Sequence, residues 1–234
     1  MQSKSKSEYV HQVFESVSSG YDRANRRISL GLQGRWKDML IARTAQYLPY
    51  RGSLLDLCCG TGDIAIAAAK RRPDVSCMGA DFSDSMLSIA RKKGKGLKNV
   101  QWEKADAMSL PWDDGKFDAA CISFGLRNTS DYRQVVSEMA RVVKKDGFIY
   151  CLDSFVPENI FVLPFYKFYF RFVMPLLGGG IRHNREYRWL YRSTQHFLKA
   201  SELEELFQEA GLTDVGRQSR MFGACCLVWG SKQQ

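Results

Sequence analysis

From residue 54 onwards, short apolar runs alternate with amphipathic stretches along the chain. The apolar runs predict strands at 54–58, 75–80, 99–104, 117–123 and 147–153, and the stretches between them predict helices at 62–71, 83–93 and 131–143. A capping box of Ser201 and Glu204 predicts one more helix, 201–210, followed by antiparallel strands at 215–221 and 224–230. We therefore expect an α/β fold with a mostly parallel seven-stranded sheet.

Two helices are predicted ahead of the first strand, at 7–18 and 35–47, and we expect residues 1–50 to form a helical cap on a main domain of residues 51–234. The joint at 18–25 is rich in turn-forming residues and contains Tyr21 and Asp22. These two residues are interpreted either as helix-end packing and capping, which the pattern alone favours, or as a flap that closes over a ligand and excludes water.

The first predicted strand ends in a glycine turn, residues 58–62, that leads directly into a helix. Gly60 and Gly62 allow positive φ and a close approach of a ligand, and the N–H groups of the helix N-terminus face the space above the turn. This position at the carboxyl end of a parallel strand is typical of a nucleotide-type cofactor site. A dinucleotide fingerprint has its third glycine where this chain has Ala65, which such fingerprints tolerate.

Three acidic residues accompany the first three predicted strands: Asp56 lies within the first, and Asp81 and Asp106 follow the second and third. A carboxylate at Asp56 would repel a pyrophosphate but suits a cofactor with an amino group and a sulfonium. A carboxylate at Asp81 can accept hydrogen bonds from both hydroxyls of a ribose. Asp56 and Asp106 could singly be turn or capping carboxylates, but the three together predict a pocket for S-adenosylmethionine.

Composition narrows the class of partner. The chain has 34 basic and 25 acidic residues, a net charge of +9, which favours an anionic partner such as nucleic acid or an anionic membrane surface. Its seven cysteines include no CxxC pair and are expected to be buried, reduced thiols. Because neither a signal peptide nor an eighteen-residue apolar run is seen, we expect a cytoplasmic protein, peripheral at most on the inner face of the cell membrane.

Residues 155–199 form an insert between the fifth strand and the last block, and its first part, 160–177, is intensely aromatic. Its second part, 178–199, carries five basic residues against one acid, Glu186. Aromatic rings beside basic residues suit a lipid headgroup interface or a hydrophobic anionic substrate. A core helix with solvated basic residues is an equal alternative, and both can hold for different faces. Nucleic acid is less favoured, because the rings cluster with aliphatic residues.

The chain resembles the UbiE/MenG C-methyltransferase family of ubiquinone and menaquinone biosynthesis over nearly its whole length. The stretch Ser123-Phe124-Gly125-Leu126-Arg127-Asn128 and the Tyr21-Asp22 start are the most specific parts of the match, whereas the glycine turn is common to methyltransferases in general. The resemblance implies the Rossmann-like fold of class I S-adenosylmethionine-dependent methyltransferases, with S-adenosylhomocysteine as the product of the cofactor. It implies methylation of a ring carbon of a prenylated quinol, foremost demethylmenaquinol.

The glycine turn, the acids and the motifs that match the family together define the expected site. The assigned cofactor-binding residues are Tyr21, Asp56, Gly60, Thr61, Gly62, Asp81, Phe82, Met86, Asp106, Ala107 and Ser123. No metal ligands are assigned.

Methyl transfer from a sulfonium is an in-line displacement, so it needs no nucleophile on the protein. A ring carbon becomes nucleophilic when the neighbouring hydroxyl loses its proton, which calls for a base and for a cation that holds the phenolate. The assigned catalytic residues are Arg127 as the cation, Asn128 as a hydrogen-bond donor to the quinol, and Asp153, Tyr187 and His196 on the proton path. Arg127 could instead be a structural salt-bridge partner.

Two departures from the family pattern concern the acceptor side: Arg192 stands where a Glu is common, and the fifth strand ends in Leu152-Asp153-Ser154 rather than Leu-Glu. They keep open an alternative in which a methyltransferase of the same family acts on another hydrophobic phenol or enol. A non-catalytic membrane-docked protein and a dinucleotide-dependent reductase are less favoured alternatives. Self-association into a homo-oligomer is compatible with the sequence.

Overall fold

The computed structural model describes residues 21–174 and 191–233. Its helices are α1 (Tyr21–Ile28), α2 (Leu32–Tyr47), α3 (Asp63–Arg71), α4 (Asp84–Lys93), α5 (Tyr132–Val142), α6 (Leu163–Phe168) and α7 (Ala200–Glu209). Its strands are β1 (Ser53–Leu57), β2 (Ser76–Asp81), β3 (Val100–Lys104), β4 (Phe117–Ser123), β5 (Val143–Ser154), β6 (Leu212–Arg220) and β7 (Cys225–Lys232).

The strands form one seven-stranded sheet in the order β3-β2-β1-β4-β5-β7-β6. Strands β1 to β5 pair in parallel, and β7 runs antiparallel to both of its neighbours. The predicted mostly parallel sheet with an antiparallel last strand is confirmed. Because β1 lies between β2 and β4, the direction of winding reverses there, and the loops after β1 and β4 diverge to leave a crevice above their ends.

Alternate residues of the strands face two separate hydrophobic layers. Leu54 packs with buried residues of α2 and α3, whereas Leu55 packs with buried residues of α5 and α7. Helix α2 therefore covers one face of the sheet through Leu40 and Ile41 and is part of its core. The seven cysteines are free thiols and five of them are buried, as expected from their apolar surroundings.

Several boundaries differ from the sequence-based expectations. Helix α1 occupies residues 21–28, where a turn-rich joint was expected, and α2 begins at Leu32 because Gly31 adopts positive φ (79°) before it. Strand β5 already begins at Val143, which pairs with Phe117, and β6 already begins at Leu212. The predicted helix at 7–18 lies outside the described residues.

The predicted Ser201–Glu204 capping box is wrong by two residues. Helix α7 begins at Ala200, and the carboxylate of Glu202 accepts the backbone N–H of Lys199 (2.7 Å). The backbone N–H of Ser201 instead donates to Glu158 (3.3 Å), a residue of the insert. A glutamate three residues after the N-cap suffices here, because it satisfies an orphan N–H whatever the capping side chain is.

The described part of the aromatic insert contains α6, a π-helical turn (Tyr169–Val173) and a helical segment at 191–195. On α6, Tyr166 is buried, whereas Phe165 and Phe168 are exposed. The insert thus has both a buried and an exposed aromatic face. Across the described ranges, every helix falls short of the length and apolar character that crossing a lipid bilayer requires.

Candidate active site

The glycine turn follows β1 and is held by backbone hydrogen bonds. Cys58 and Gly60 adopt positive φ (52° and 54°), and the N–H of Gly60 donates to Asp81 Oδ2 (2.8 Å). Among the described residues nothing lies within 4 Å of a Cβ built on Gly60, so the turn borders open space. Gly62 has another role: it caps α3, and a Cβ there would lie 2.3 Å from the ring of Trp102.

Asp81 lies at the end of β2 and is buried beside the glycine turn. Its two oxygens accept from the N–H groups of Gly60 (2.8 Å) and Ser83 (2.9 Å). These bonds orient the Asp81 carboxylate beside the glycine turn, and hydroxyl groups of a ligand are donors that a carboxylate accepts. Asp106, after β3, is exposed, and its Oδ1 accepts the N–H of Met108 (2.9 Å).

Asp56 is buried beneath the turn and accepts the N–H of Ala65 in α3 (3.0 Å). Burial raises the pKa of this carboxyl to about 7, and the Ala65 N–H and the charge of Lys37 only partly offset the effect. Asp56 therefore anchors the first turn of α3 and lines a small space of about 30 Å³ with Gly60 and Thr61.

A cavity of about 160 Å³, here called the glycine cleft, opens above the ends of β1, β2, β3 and β4. It brings together most of the assigned cofactor-binding residues. Those that line it are Gly60, Asp81, Phe82, Met86, Asp106, Ala107 and Ser123. The hydroxyl of Ser123 is buried and lacks a hydrogen-bond partner among the described residues, so it can bind a polar group of a ligand.

Helix α1 is tied to the glycine turn by a cluster of charges. Asp22 bonds to the hydroxyl of Thr61 (2.9 Å) and pairs with Lys93 of α4 (2.9 Å). Lys93 and Lys37 both pair with Asp63 at the start of α3. Burial acts to raise the pKa of Asp63, but Lys37 and Lys93 outweigh it and hold the pKa below its usual value. Asp22 thus ties α1 to the glycine turn.

A second space of about 490 Å³, here called the aromatic cavity, lies between α1, α2 and the insert. Its walls include the rings of Trp36, Tyr166, Tyr169 and Phe170. Phe124, directly after β4, lines both the aromatic cavity and the glycine cleft and forms their shared wall. It adopts positive φ (56°), a strained conformation for a bulky residue and one that clusters at functional sites.

Among the described residues that line the aromatic cavity, the charged one is Arg127. It is 6% exposed and forms an ion pair with Asp153, which is fully buried at the end of β5. Asp153 also accepts the backbone N–H groups of Arg127 (3.3 Å) and Ser154 (2.7 Å). With these donors the carboxylate fixes the guanidinium in one orientation.

The other assigned catalytic residues are distributed differently. Asn128 lines the glycine cleft rather than the aromatic cavity, and its Nδ2 donates to the carbonyl of Phe124 (3.2 Å). His196 is exposed, its Nδ1 is 2.8 Å from the carbonyl of Arg192, and it lines neither cavity. Tyr187 lies outside the described residues, as does the side chain of Tyr21.

The family model of the ubiE/COQ5 methyltransferases matches residues 2–232. The chain belongs to this family. The demethylmenaquinone methyltransferase of Geobacillus kaustophilus is 41% identical over 234 residues, which cover 98% of this chain and 99% of the relative. That of Staphylococcus saprophyticus is 37% identical over 231 residues, 98% of each chain. A SAM-dependent methyltransferase from Thermotoga maritima superposes with a TM-score of 0.64 at 21% identity, over 96% of this chain and 100% of that one, and shows the fold.

The chain is therefore an S-adenosylmethionine-dependent methyltransferase, and its glycine cleft fits the cofactor. Gly60 leaves open space beside the turn, Asp81 lines the cleft with a carboxylate of the kind that suits ribose hydroxyls, and Ser123 lines it with a hydroxyl that has no partner among the described residues. When bound, S-adenosylmethionine supplies an electrophilic methyl group on its sulfonium.

Three residues that position the site were not assigned to it from the sequence, because no local sequence pattern distinguishes them. Phe124 was part of the matched motif, but its role as a wall depends on the backbone strain after β4. Lys93 comes from the end of α4, and its role appears only when α1 is packed beside it. Tyr166 was one ring among many in the aromatic run, and only its burial separates it from the exposed Phe165.

Proposed function

We propose that this methyltransferase transfers a methyl group from S-adenosylmethionine to a ring carbon of a prenylated quinol, foremost demethylmenaquinol. The observation that carries the proposal is the shared wall at Phe124: on one side is the glycine cleft, on the other an apolar cavity with a buried arginine. Because Phe124 lines both cavities, the two adjoin there, and an aromatic ring bound beside Arg127 would lie next to the cofactor. The names of the curated relatives support demethylmenaquinol as the acceptor.

The chemistry divides between the two cavities. Loss of the quinol hydroxyl proton makes the neighbouring ring carbon nucleophilic, and Arg127 stabilises the resulting phenolate oxygen. The ring carbon then forms a bond to the methyl carbon while the methyl–sulfur bond breaks, and the ring C–H proton leaves to restore the aromatic ring. Closure of α1 over the turn by Asp22 helps to exclude water.

Of the residues assigned to the proton path, Asp153 acts as a positioning residue, because its oxygens are engaged by Arg127 and by two backbone N–H groups. His196 is remote from both cavities. Tyr187 stays a sequence-based candidate for the base. Asn128 supports the wall by holding the carbonyl of Phe124.

The direct test is methyl transfer to reduced demethylmenaquinone with a short prenyl tail, with the product measured by mass spectrometry. We expect Asp81→Ala to raise the KM for S-adenosylmethionine and Arg127→Lys to lower kcat about a hundredfold. Arg133→Ala, which removes an exposed arginine paired with Glu209, is the matched control and should leave the rate unchanged. Cofactor binding without a methylated quinol would overturn the acceptor and favour another hydrophobic phenol or enol, the alternative that Asp153 suggests.

We further propose that the acceptor reaches the cavity from a membrane surface. Exposed apolar side chains surround the cavity mouth and form what we call the apolar rim: Leu30, Phe165, Phe168, Met221 and Phe222. Lys167 and Arg171 are exposed on the same helical segment as two of these rings and suit anionic headgroups.

Sedimentation with anionic phosphatidylglycerol vesicles tests the membrane contact. Phe222→Ser should weaken vesicle binding about tenfold, since it removes a large ring from the bilayer interface. Tyr50→Ser is the matched control, because Tyr50 and Phe222 are equally exposed (79%) and Tyr50 precedes β1 at the other end of the sheet. Equal loss of binding in both variants would contradict a contact through the apolar rim.

A further inference from the structure

The orientation of α6 is unusual for a helix at a protein surface. Its tyrosine, Tyr166, is 6% exposed, while its phenylalanines Phe165 and Phe168 are 76% and 59% exposed. On a helix that faces water we expect the phenylalanines to be buried and the tyrosine to be exposed, because burying a tyrosine hydroxyl without a hydrogen-bond partner costs free energy. The polar ring therefore faces inward, into the wall of the aromatic cavity.

The Tyr166 hydroxyl lacks a hydrogen-bond partner in residues 21–174 and 191–233. Five other buried side-chain groups are in the same condition within these ranges, and two of them are the ones that concern Tyr166: Nε2 of Gln195 and Nε of Arg127. Tyr166 and Arg127 both line the aromatic cavity, and the side-chain amide of Gln195 lies beside the Tyr166 hydroxyl, behind the cavity wall. Buried polar groups are nearly always satisfied in folded proteins, so a cluster of unsatisfied ones beside a cavity indicates a ligand that satisfies them.

The Tyr166 hydroxyl and the Arg127 guanidinium are two independent hydrogen-bond donors. Tyr166 lies near Arg127 but is not hydrogen-bonded to it, and the guanidinium is already paired with Asp153. A ring with one oxygen could engage only one of these positions, whereas a ring with two oxygens could engage both.

We infer that Tyr166 binds a second ring oxygen of the acceptor, so that the aromatic cavity selects dihydroxylated rings over monohydroxylated ones. This inference rests on the proposed function, in which Arg127 binds the oxygen beside the methylated carbon. Tyr166 is then a specificity-determining residue.

The protonation state of Tyr166 agrees with a donor role. Burial raises the pKa of its hydroxyl well above the usual value, and the positive charge of Arg127 opposes this only in part. Tyr191 adds to the rise and Gln195 opposes it. The hydroxyl is therefore protonated at neutral pH and can donate to a ring oxygen.

The test compares two ligands on the chain saturated with S-adenosylhomocysteine, by calorimetry under anaerobic reducing conditions. One ligand is a short-prenyl 1,4-naphthalenediol, and the other is the matched naphthol that lacks the second hydroxyl. Tyr166→Phe should weaken binding of the diol about tenfold and leave binding of the naphthol unchanged. Tyr169→Phe is the control, because Tyr169 lines the same cavity but donates its hydroxyl to the carbonyl of Ile28.

A stability measurement separates a ligand-binding role from a structural one. Since the Tyr166 hydroxyl has no partner in the described chain, Tyr166→Phe should not lower Tm, whereas Tyr169→Phe should. A lowered Tm for Tyr166→Phe, or equal loss of affinity for the diol and the naphthol, overturns the inference. So does a wild-type chain that binds both ligands equally.

The two proposals fail in different ways. If the wild-type chain binds the diol through Tyr166 but transfers no methyl group to it, the proposed reaction fails and the oxygen-binding site stands. If methyl transfer proceeds and Tyr166→Phe handles the diol and the naphthol as the wild type does, the site fails and the reaction stands.

Discussion

At the scale of single residues, the Arg127–Asp153 pair is the buried ion pair of the site. Both side chains are almost fully buried, so each charge has lost its hydration and depends on the other. This makes the pair costly to break from either side. It also holds a cation in an apolar cavity, where the cation interacts with a phenolate more strongly than it would in water.

We expect Arg127→Met to lower the free energy of unfolding by about 3–5 kcal/mol, because it leaves the Asp153 carboxylate buried without its partner. The double variant Arg127→Met/Asp153→Leu should recover most of this loss, yet remain inactive. Urea denaturation of the two single variants and the double variant measures the coupling. If the double variant were as unstable as the sum of the singles, the two charges would not be coupled.

Asp56 makes the stability of the folded protein depend on pH. Its pKa is raised to about 7 by burial, against an ordinary value of 3.8, so between these values the folded state holds a proton that the unfolded state has released. The stability that Asp56 contributes is thus fully present below pH 3.8 and is lost as the pH rises through about 7.

We expect the free energy of unfolding of the cofactor-free protein to fall more for the wild type than for Asp56→Asn between about pH 5 and about pH 8, by roughly 2 kcal/mol. Asparagine keeps an acceptor for the Ala65 N–H and cannot titrate. The neighbouring Lys37, Asp63 and Asp81 are common to both proteins. Parallel stability curves for the two proteins would show that Asp56 does not titrate in this range.

At the scale of elements, the site depends on how closely the turn after β1 and the turn after β4 approach each other. A Cβ on Gly125 would lie 2.6 Å from the Cβ of Cys58, so Gly125 lets the two turns touch. Phe124 is held between them with positive φ, and Asn128 fastens its carbonyl. The wall between the two cavities is thus a consequence of this one contact.

Gly125→Ala should therefore displace the wall. We expect a loss of stability of about 1–3 kcal/mol from overpacking and a loss of methyl transfer larger than that of cofactor affinity. Gly34→Ala is the matched control: Gly34 lies inside α2 with nothing within 4 Å of its would-be Cβ among the described residues, so alanine should stabilise the helix by up to about 1 kcal/mol. Equal effects of the two substitutions would contradict a close contact at Gly125.

At the scale of the whole molecule, the alternation of apolar runs and amphipathic stretches was enough to predict the sheet, because the central parallel strands β1 and β4 are buried on both faces and read as apolar runs. The glycine turn and the three acids were assigned from the same pattern, since the ends of parallel strands meet at one edge, whereas Ser123 was assigned from the family resemblance. Asp81 and Ser123 are far apart in the sequence, at the ends of β2 and β4, yet both line the glycine cleft.

The acceptor side could not be predicted in the same way. The aromatic cavity is built from α1, α2 and the insert, and no periodicity states how these elements pack on one another. Tyr166 faces inward and Asp153 pairs with Arg127 only because of how the elements pack in the tertiary structure. His196 was selected for its chemistry alone, and its exposed position is decided by where the segment before α7 lies.

The division of the molecule into two cavities predicts how ligands stabilise it. A ligand that binds only the folded state raises stability by mass action, by about 4 kcal/mol at a concentration a thousandfold above its Kd. S-adenosylhomocysteine should therefore raise the Tm of the wild type, and Asp81→Ala should remove most of the rise because Asp81 orients the glycine turn. Tyr166→Phe should keep the full rise, since Tyr166 lines only the aromatic cavity. Thermal scans across a ligand series measure both, and loss of the rise in Tyr166→Phe would mean that the two cavities do not bind independently.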